Sequence, residues 1–495
     1  MRVLRVLSVG VPLAVGAGLM AVHLTAPWTG SFDANGARYS IAARNYLRYG
    51  LAATRGGQVL NAGELQPDGF RFYSHHPPGI SLTLAASFAL LGAHEWSARL
   101  VFILFTLAAA ACLHRVAQEM AAPIAGNGRP LAGVLAAIVF LVQPMVALYG
   151  RIPDHEAPAA FFALALAVLY LHWQRTEDRK WLLAMSAAAF IGAWYAWIVC
   201  VVPWLLLAYH WLVKRRGAAW MLLPAAAAAV GFLAVLGHVA LVEGGLGGLW
   251  GALAHRWSTQ ARDRGGDSTF GLWQFLARQG WYFWAVFSGL AGALSLGWVL
   301  GVGRPGKAHT LLVAALAIFG LSNVVVFYQG AFIHVYYQFY LAIPLALMAG
   351  LAIAGICRRA GPLWGPLVAA CLVLAIAAEG LLKLAPVWRE QRGGFTFYPG
   401  QMEMAAYLRE TTEPQDRVLL RCNWPYSFCQ LTYYADRNIT VVADGQEAHT
   451  RWQEGRFTKA FGVSRIRGWE IGPLFESSWK PRSGPVPRRG LGSGP

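Results

Sequence analysis

The chain has 495 residues, 57% of them apolar and only 13% charged. A soluble domain carries about twice that charge, so a soluble globular protein is excluded. The net charge of +17 does not call for nucleic acid, because Lys and Arg sit in short clusters between apolar runs, as the positive-inside rule expects.

The first apolar run, Val6 to Pro27, follows Arg2 and Arg5, which places the N-terminus in the cytoplasm. No small-residue cleavage site precedes the polar loop, so this run reads as a retained span. The polar stretch Ser31–Gly79 then falls outside. Within it, Ala34–Tyr49 is expected as an interfacial helix with an apolar stripe of Ala34, Ala37 and Ile41. Arg44 and Arg48 share another face, and Gly50 and Gly56-Gly57 end the helix.

Ten further apolar runs lie at about 79–93, 97–118, 131–149, 157–174, 181–213, 219–242, 281–303, 308–328, 335–357 and 362–385. The run 181–213 is long enough for two crossings. Basic links at His114-Arg115, Arg175 to Lys180, Lys214 to Arg216, Arg304 to Lys307 and Arg358-Arg359 read as cytoplasmic. Asp33 and Asp154 share a face only if one of the three runs between them fails to cross, which leaves about eleven spans. In the long loop 244–280, Ser268 is expected to cap an interfacial helix that turns Phe270, Trp273 and Trp281 toward lipid. An aromatic belt anchor and a lid over a site are both readings of that loop.

The domain division is a transmembrane part at 1–385, with the active site in its external loop 28–78, an external α/β region at 386–475, and a disordered Pro/Gly/Arg-rich tail at 476–495. In the external region, Gln401–Thr411 reads as a helix, and Arg417–Cys422 and Ile439–Ala443 as strands. The six cysteines lack zinc-ligand spacing. Cys422 and Cys429 are near enough in sequence that a disulfide between them is an open question.

Chemistry-bearing residues concentrate in the external loops. Asp33 is a candidate base, with a helix cap as the plain alternative. Arg38, Arg44 and Arg48 are candidates for a phosphate or for anionic headgroups, Arg38 being nearest Asp33. His75 and His76 precede Pro77-Pro78, which pre-set a helix start; as donors they would hold a phosphate, while adjacent histidines are a weak signal for a metal. Asp154 lies in YGRIPDHEAP, where N-terminal capping is the alternative. His334, Tyr336, Tyr337, Gln338 and Tyr340 combine stacking faces with hydrogen-bond donors. His238 and Glu379 stand isolated among apolar residues.

Together these features resemble GT-C glycosyltransferases, most nearly glycosyltransferase family 39, the protein O-mannosyltransferase/ArnT-like group. The resemblance is carried by the first-loop acid, Arg38-Tyr39, His76-Pro77-Pro78, Glu95-Trp96-Ser97-Ala98-Arg99 and the second-loop acid. It covers roughly Val6 to Trp173 and the HVYYQFYLAIPLALMAG segment, and Tyr433–Arg437 resembles the external C-terminal domain of bacterial members. It implies an all-α polytopic GT-C fold of about 11–12 transmembrane helices with a small α/β C-terminal region. It also implies an enzyme using a polyprenyl-phosphate-linked sugar donor at the outer face of a bacterial inner membrane. Asp33 and Asp154 map to the catalytic acids. Asn35, Arg38, Tyr39, His75, His76, His334, Tyr336, Tyr337 and Gln338 form the expected substrate-binding set. Where family members carry an acid three residues before Arg-Tyr, this chain has Asn35, with Asp33 two residues further back. No cofactor is assigned, and a divalent metal remains open. The acceptor is a lipid, glycan or protein hydroxyl, and a single displacement inverts the anomeric centre. A transporter of lipid-linked saccharides and a non-catalytic assembly subunit are the rival readings.

Overall fold

The computed structural model describes residues 2–28, 30, 33–125, 129–263, 266–304, 306–392, 401–422, 428–465 and 469–474. The expected disordered tail, 476–495, lies outside them. The chain divides into two compact units. One comprises Met1–Leu60 with Phe70–Phe397, and the other Asn61–Gly69 with Tyr398–Pro495. The excursion Asn61–Gly69, expected within the active-site loop, therefore belongs to the second unit.

The first unit is helical because its sequence offers long apolar runs, and in lipid a helix satisfies its own backbone polar groups. It begins with α1 (Arg2–Ala21) and α2 (Ala34–Thr54), followed by a short hairpin of β1 (Gln58–Val59) and β2 (Phe72–Tyr73). Then come α3 (Gly79–Leu91), α4 (Glu95–Ala125), α5 (Arg129–Leu141), α6 (Pro144–Tyr149) and α7 (Glu156–Thr176). Among the described residues, five helices are long and apolar enough to cross a membrane, or six if the bent pair Leu272–Val286 and Gly289–Val299 counts as one span. Four shorter apolar helices accompany them, at Ser8–Ala21, Gly79–Leu91, Pro130–Leu141 and Trp197–Val213. The 55-residue segment Val335–Arg389 contains a break at Gly361, whose φ of 81° and ψ of 176° are non-helical and suit a residue without a Cβ. It thus supplies two helical arms.

A small-residue contact sets the packing of α5 on the first arm. A Cβ on Gly350 would lie 2.6 Å from the Ala136 backbone nitrogen, the close approach that small residues allow between membrane helices. The aromatic side chains of Phe102, Phe140, Tyr170, Phe319 and Phe339 fill the interior of this unit.

Breaks inside an apolar bundle need internal partners, and the 111° bend between Val286 and Gly289 has them. The Glu379 carboxylate accepts from Ser288 Oγ (2.5 Å), Gly289 N (2.7 Å) and Leu290 N (3.3 Å). Lys383 Nζ pairs with Glu379 at 3.0 Å and donates to the Trp284 and Phe287 carbonyls at 2.6 Å each. Glu379, expected to be isolated, is thus the cap of a broken helix. His238 is also engaged, its Nε2 lying 3.1 Å from the Arg55 carbonyl.

Two features of loop 244–280 differ from expectation. The helix starts at Leu272, with Gly271 at the N-cap position and its N–H donating to Gln274 Oε1 at 2.8 Å; the side chain of Ser268 lies outside the described residues. Phe270 does not face lipid: it is buried and stacked on Phe332 at 3.9 Å. Trp273 and Trp281 are exposed, as expected. The apolar stripe of α2 is also turned inward, with Ala37 and Ile41 buried.

The second unit is a four-stranded sheet ordered Asn438–Val442, Arg417–Arg421, Lys459–Arg465, Trp469–Pro473, the first three parallel and the last antiparallel. Helices Gln401–Thr411 and Phe428–Ala435 pack together on a core that includes Met404, Leu408, Val418, Leu420, Leu431, Ile439 and Phe461. Arg437 crosses this core edge and donates to the Thr412 carbonyl and Oγ1 and to the Arg409 and Asp436 carbonyls, at 2.7–3.1 Å. Cys422 and Cys429 are buried thiols with no disulfide between them.

Candidate active site

Polar side chains from four stretches, and Arg256 from a fifth, converge on one cavity in the first unit. It spans about 770 Å³, part of it open to solvent, and is lined by Asn35, Arg38, Tyr73, His75, His76, Asp154, His155, Arg256, Tyr336 and Tyr337, with an apolar wall of Ile198, Leu249, Leu253 and Phe327.

The first stretch is the start of α2. Arg38 Nη1 donates to Asn35 Oδ1 at 2.9 Å, and its guanidinium lies 5.0 Å over the Tyr73 ring. One turn of helix separates the two residues, so both face the cavity. The Asn35 amide donates to Asp154 Oδ2, and Tyr39 OH lies 3.4 Å from Asp154 Oδ1. This contact places the loops of Asp33 and Asp154 at the same end of the bundle. Between them, α3 has 13 residues, which reach about 20 Å, under the bilayer's apolar thickness of about 30 Å, and α5 is equally short before the break into α6.

The second stretch is the hairpin and the His-His-Pro-Pro turn. Gln58 Nε2 donates to the carbonyls of Tyr73 (3.1 Å) and His76 (2.8 Å), while its Oε1 accepts from Ser81 Oγ (2.7 Å). Ser74 Oγ donates to Glu243 at 2.5 Å, and Trp197 Nε1 to the His75 carbonyl at 2.9 Å. The turn is thus fixed on both sides. Burial pushes both His75 and His76 below the usual imidazole range, helped for His76 by the neighbouring His155 and for His75 by Arg38.

The third stretch is Asp154-His155-Glu156, which leads into α7. All three are buried. Asp154 Oδ1 accepts from both the backbone N–H and Nδ1 of His155, at 2.8 Å each, and His76 stacks on the His155 ring at 4.4 Å. Burial opposes charge on both partners. For His155 the carboxylates of Glu156 and Asp154 outweigh it and raise the imidazole to about 9; for Asp154 the imidazolium and its hydrogen bonds hold the carboxyl low. Donor atoms of the three residues lie within 4.8 Å of one another, and Glu156 Oε1 has no hydrogen-bond partner among the described residues. Two carboxylates and a neutral imidazole suit a hard or borderline divalent cation, so these three would hold one in exchange for the His155 proton. A cation there would supply Lewis-acid polarisation of a phosphate oxygen.

The fourth stretch is the turn before the first arm of the long helix. Tyr336 and Tyr337 line the cavity, and His334 stacks on Tyr336 at 5.0 Å. Burial pushes His334 down to about 3, with Arg256 and Arg38 adding to the shift. Gln338 does not reach the cavity; its Nε2 donates to the backbone carbonyl and Oε1 of Gln279 at 2.9 Å each.

Asp33 is also absent from the cavity lining. Its side chain makes no helix-capping bond; Oδ2 accepts from Gly30 N at 2.9 Å, and Oδ1 lies 3.8 Å from Arg99 Nη2. Conversely, Arg256 lines the cavity without having stood out in the sequence. It ends the helix Gly247–Arg256 and donates to Gln329 Oε1 at 2.9 Å. Its only signal was a basic residue in a long external loop, shared with Arg262 and Arg264.

Residues 75–241 match the family model of dolichyl-phosphate-mannose-protein mannosyltransferase. By sequence alone, no curated protein matches the chain. Among solved structures, the chain is similar to ArnT from Cupriavidus metallidurans bound to undecaprenyl phosphate. That match has a TM-score of 0.63 at 14% identity and covers 96% of this chain and 99% of that one. The apo state of the same ArnT gives 0.60 at 15% identity, covering 92% of each chain. The archaeal oligosaccharyltransferase AglB from Archaeoglobus fulgidus, in complex with an inhibitory peptide and a dolichol-phosphate, gives 0.57 at 12%, covering 92% of this chain and 69% of that one. The chain thus has the helical GT-C fold of ArnT, with apolar helices long enough to cross a membrane, and its residues 75–241 match the dolichyl-phosphate-mannose-protein mannosyltransferase model.

Proposed function

We propose that the protein transfers a sugar from a polyprenyl-phosphate-linked donor to an acceptor hydroxyl. The observation that carries this reading is one cavity holding an ionised carboxylate, Asp154, together with two guanidiniums, Arg38 and Arg256, beside an apolar wall. Guanidiniums offer forked donors to phosphate oxygens. The tyrosines offer sugar-stacking faces, and the apolar wall suits the first isoprene units. The ligands named for the ArnT and AglB structures, undecaprenyl phosphate and dolichol-phosphate, have this mixed chemistry.

In the reaction, the acceptor oxygen bonds to the anomeric carbon as the carbon–oxygen bond to phosphate breaks. The acceptor proton passes to Asp154, the general base, and the bonding pair leaves with the phosphate. Arg38 and Arg256 stabilise the charge gathering there. A single displacement inverts the anomeric centre. We assign the base role to Asp154 because it lines the cavity, while Asp33 faces Arg99. The acceptor is a lipid, glycan or protein hydroxyl. We place the site on the periplasmic side of a bacterial inner membrane, with the N-terminus cytoplasmic and the C-terminal region periplasmic. A transport reading would use Glu379 or His238, and both are committed to structural bonds.

The test compares membranes that carry the protein, lack it, or carry Asp154→Asn or Asp33→Asn, with polyprenyl-phosphate sugars and envelope glycans profiled by mass spectrometry. The expected result is one accumulating lipid-linked sugar and one missing glycan modification in both the deletion and Asp154→Asn. No change in either the deletion or Asp154→Asn would refute transfer.

A further inference from the structure

Outside the cavity lining is a second charged cluster that the proposed reaction does not use. Arg99 and Arg151 are both buried, at 2% and 3% exposure, with Asp33 as their nearby carboxylate. Arg151 Nη1 donates to the carbonyls of Met20 and Val22, and Arg99 Nη1 to those of Leu24 (2.8 Å) and Ala26. These carbonyls lie at and just beyond the C-terminal end of α1, where an unpaired acceptor is costly and a cation is favoured. Burial and the neighbouring Arg99 pull Arg151 down to about 10, which leaves it charged at neutral pH.

The cluster is linked to the cavity at two points. Arg151 stands three residues before Asp154. Arg99 lies 4.1 Å over the Trp28 ring, and Trp28 is pressed against Gly36, where a Cβ would fall 2.6 Å from the ring. Gly36 is next to Asn35, whose amide returns to Asp154. The connections form a closed ring: Asp154, Asn35, Gly36 and Trp28, Arg99, the end of α1, Arg151, and Asp154 again. Asp33 closes a chord across it, holding Arg99 to the start of α2.

We infer that Arg99 and Arg151 are positioning residues, with Asp33 as their counter-ion, and that this ring fixes the separation between the Asp154 carboxylate and the Arg38 guanidinium. The inference rests on the reading of those two groups as the ones that meet the ligand. A displacement of about 1 Å at a reacting group is worth up to a hundredfold, so a ring that holds two such groups is part of the site's function.

The test uses the purified full chain in nanodiscs titrated with undecaprenyl phosphate, with melting temperatures recorded in parallel. If wild type fails to bind, the function reading fails and the ring is not at issue. If wild type binds, Arg151→Met and Arg99→Met are expected to raise Kd about tenfold or more at a temperature where they remain folded, and Arg151→Lys to recover most of the loss. In the Arg38→Ala background, Arg151→Met is expected to add less than threefold, because the separation it disturbs no longer matters. A merely structural role predicts lower melting temperatures with unchanged Kd, or effects that multiply in the double variant; either result overturns the inference. Gly36→Ala serves if both arginine variants fail to fold, since it pushes α2 off Trp28 without leaving a charge unmatched. An unchanged Kd there also refutes the ring.

Discussion

Replacing Arg38 by alanine is the most direct test of the cavity as a phosphate site. Arg38 is half-buried, shares one N–H with Asn35 Oδ1 and leans on Tyr73, so its guanidinium is oriented before any ligand arrives. A phosphate oxygen at about 4 Å would interact with it by about 4 kcal/mol at an effective dielectric near 20. Partial exposure and the shared donor reduce that, and charge-assisted hydrogen bonds contribute about 1.5–3 kcal/mol net. The expected loss is therefore about 2–3 kcal/mol, or roughly 30- to 150-fold in Kd for undecaprenyl phosphate. Arg256→Ala should lose a similar amount. Arg48→Ala is the control, because Arg48 is an exposed side chain farther along the same helix. Titration by tryptophan fluorescence at low and high salt reads all three. An Arg38→Ala protein that binds within threefold of wild type, or no more weakly than Arg48→Ala, would refute the assignment of this cavity to a phosphate.

Other expectations follow from buried polar groups. Manganese added to EDTA-treated protein should raise the melting temperature of wild type and leave Glu156→Gln unmoved, as differential scanning fluorimetry would show. Glu379→Gln removes the charged acceptor at the bend between Val286 and Gly289 and should cost about 1–2 kcal/mol, seen as a melting temperature a few degrees lower. Arg437→Met leaves the carbonyls of Thr412 and Arg409 without their buried donor. At about 1–3 kcal/mol per orphaned group, the second unit should become the first site of limited proteolysis in the full chain.

The sequence made helices and strands legible where periodicity and turn residues agree. Gln401–Thr411 is found with the expected bounds, and the strand expected at Ile439–Ala443 runs from Asn438 to Val442. It also brought Asn35, Arg38, His75, His76, Asp154, Tyr336 and Tyr337 to one place. Which of two neighbouring polar residues faces that place was not legible. Asp33 and Asn35 are two positions apart, and the difference between them is set by Arg99, far along the chain. Gln338 and Tyr337 are adjacent, yet Gln279 claims the first and the cavity the second. Arg256 looked like any basic residue of its loop. Hydropathy records that a residue is polar; its partner is a long-range fact.

The carbonyls at the end of α1 carry a consequence for biosynthesis. Their donors belong to residues 99 and 151, which lie 75 residues beyond Leu24 and 129 beyond Val22, so they are translated well after the first helix. Until then the first helix leaves the ribosome with its end unfinished, and Asp33 has no arginine to face. The first helix can form early, but its C-terminal end cannot lock until the loop before α7 arrives. Chains halted before residue 151 should therefore remain open to proteases at the first loop, while longer ones close. Synthesis order and completion of the site are in this way linked: the segment made first is finished by residues made more than seventy positions after it.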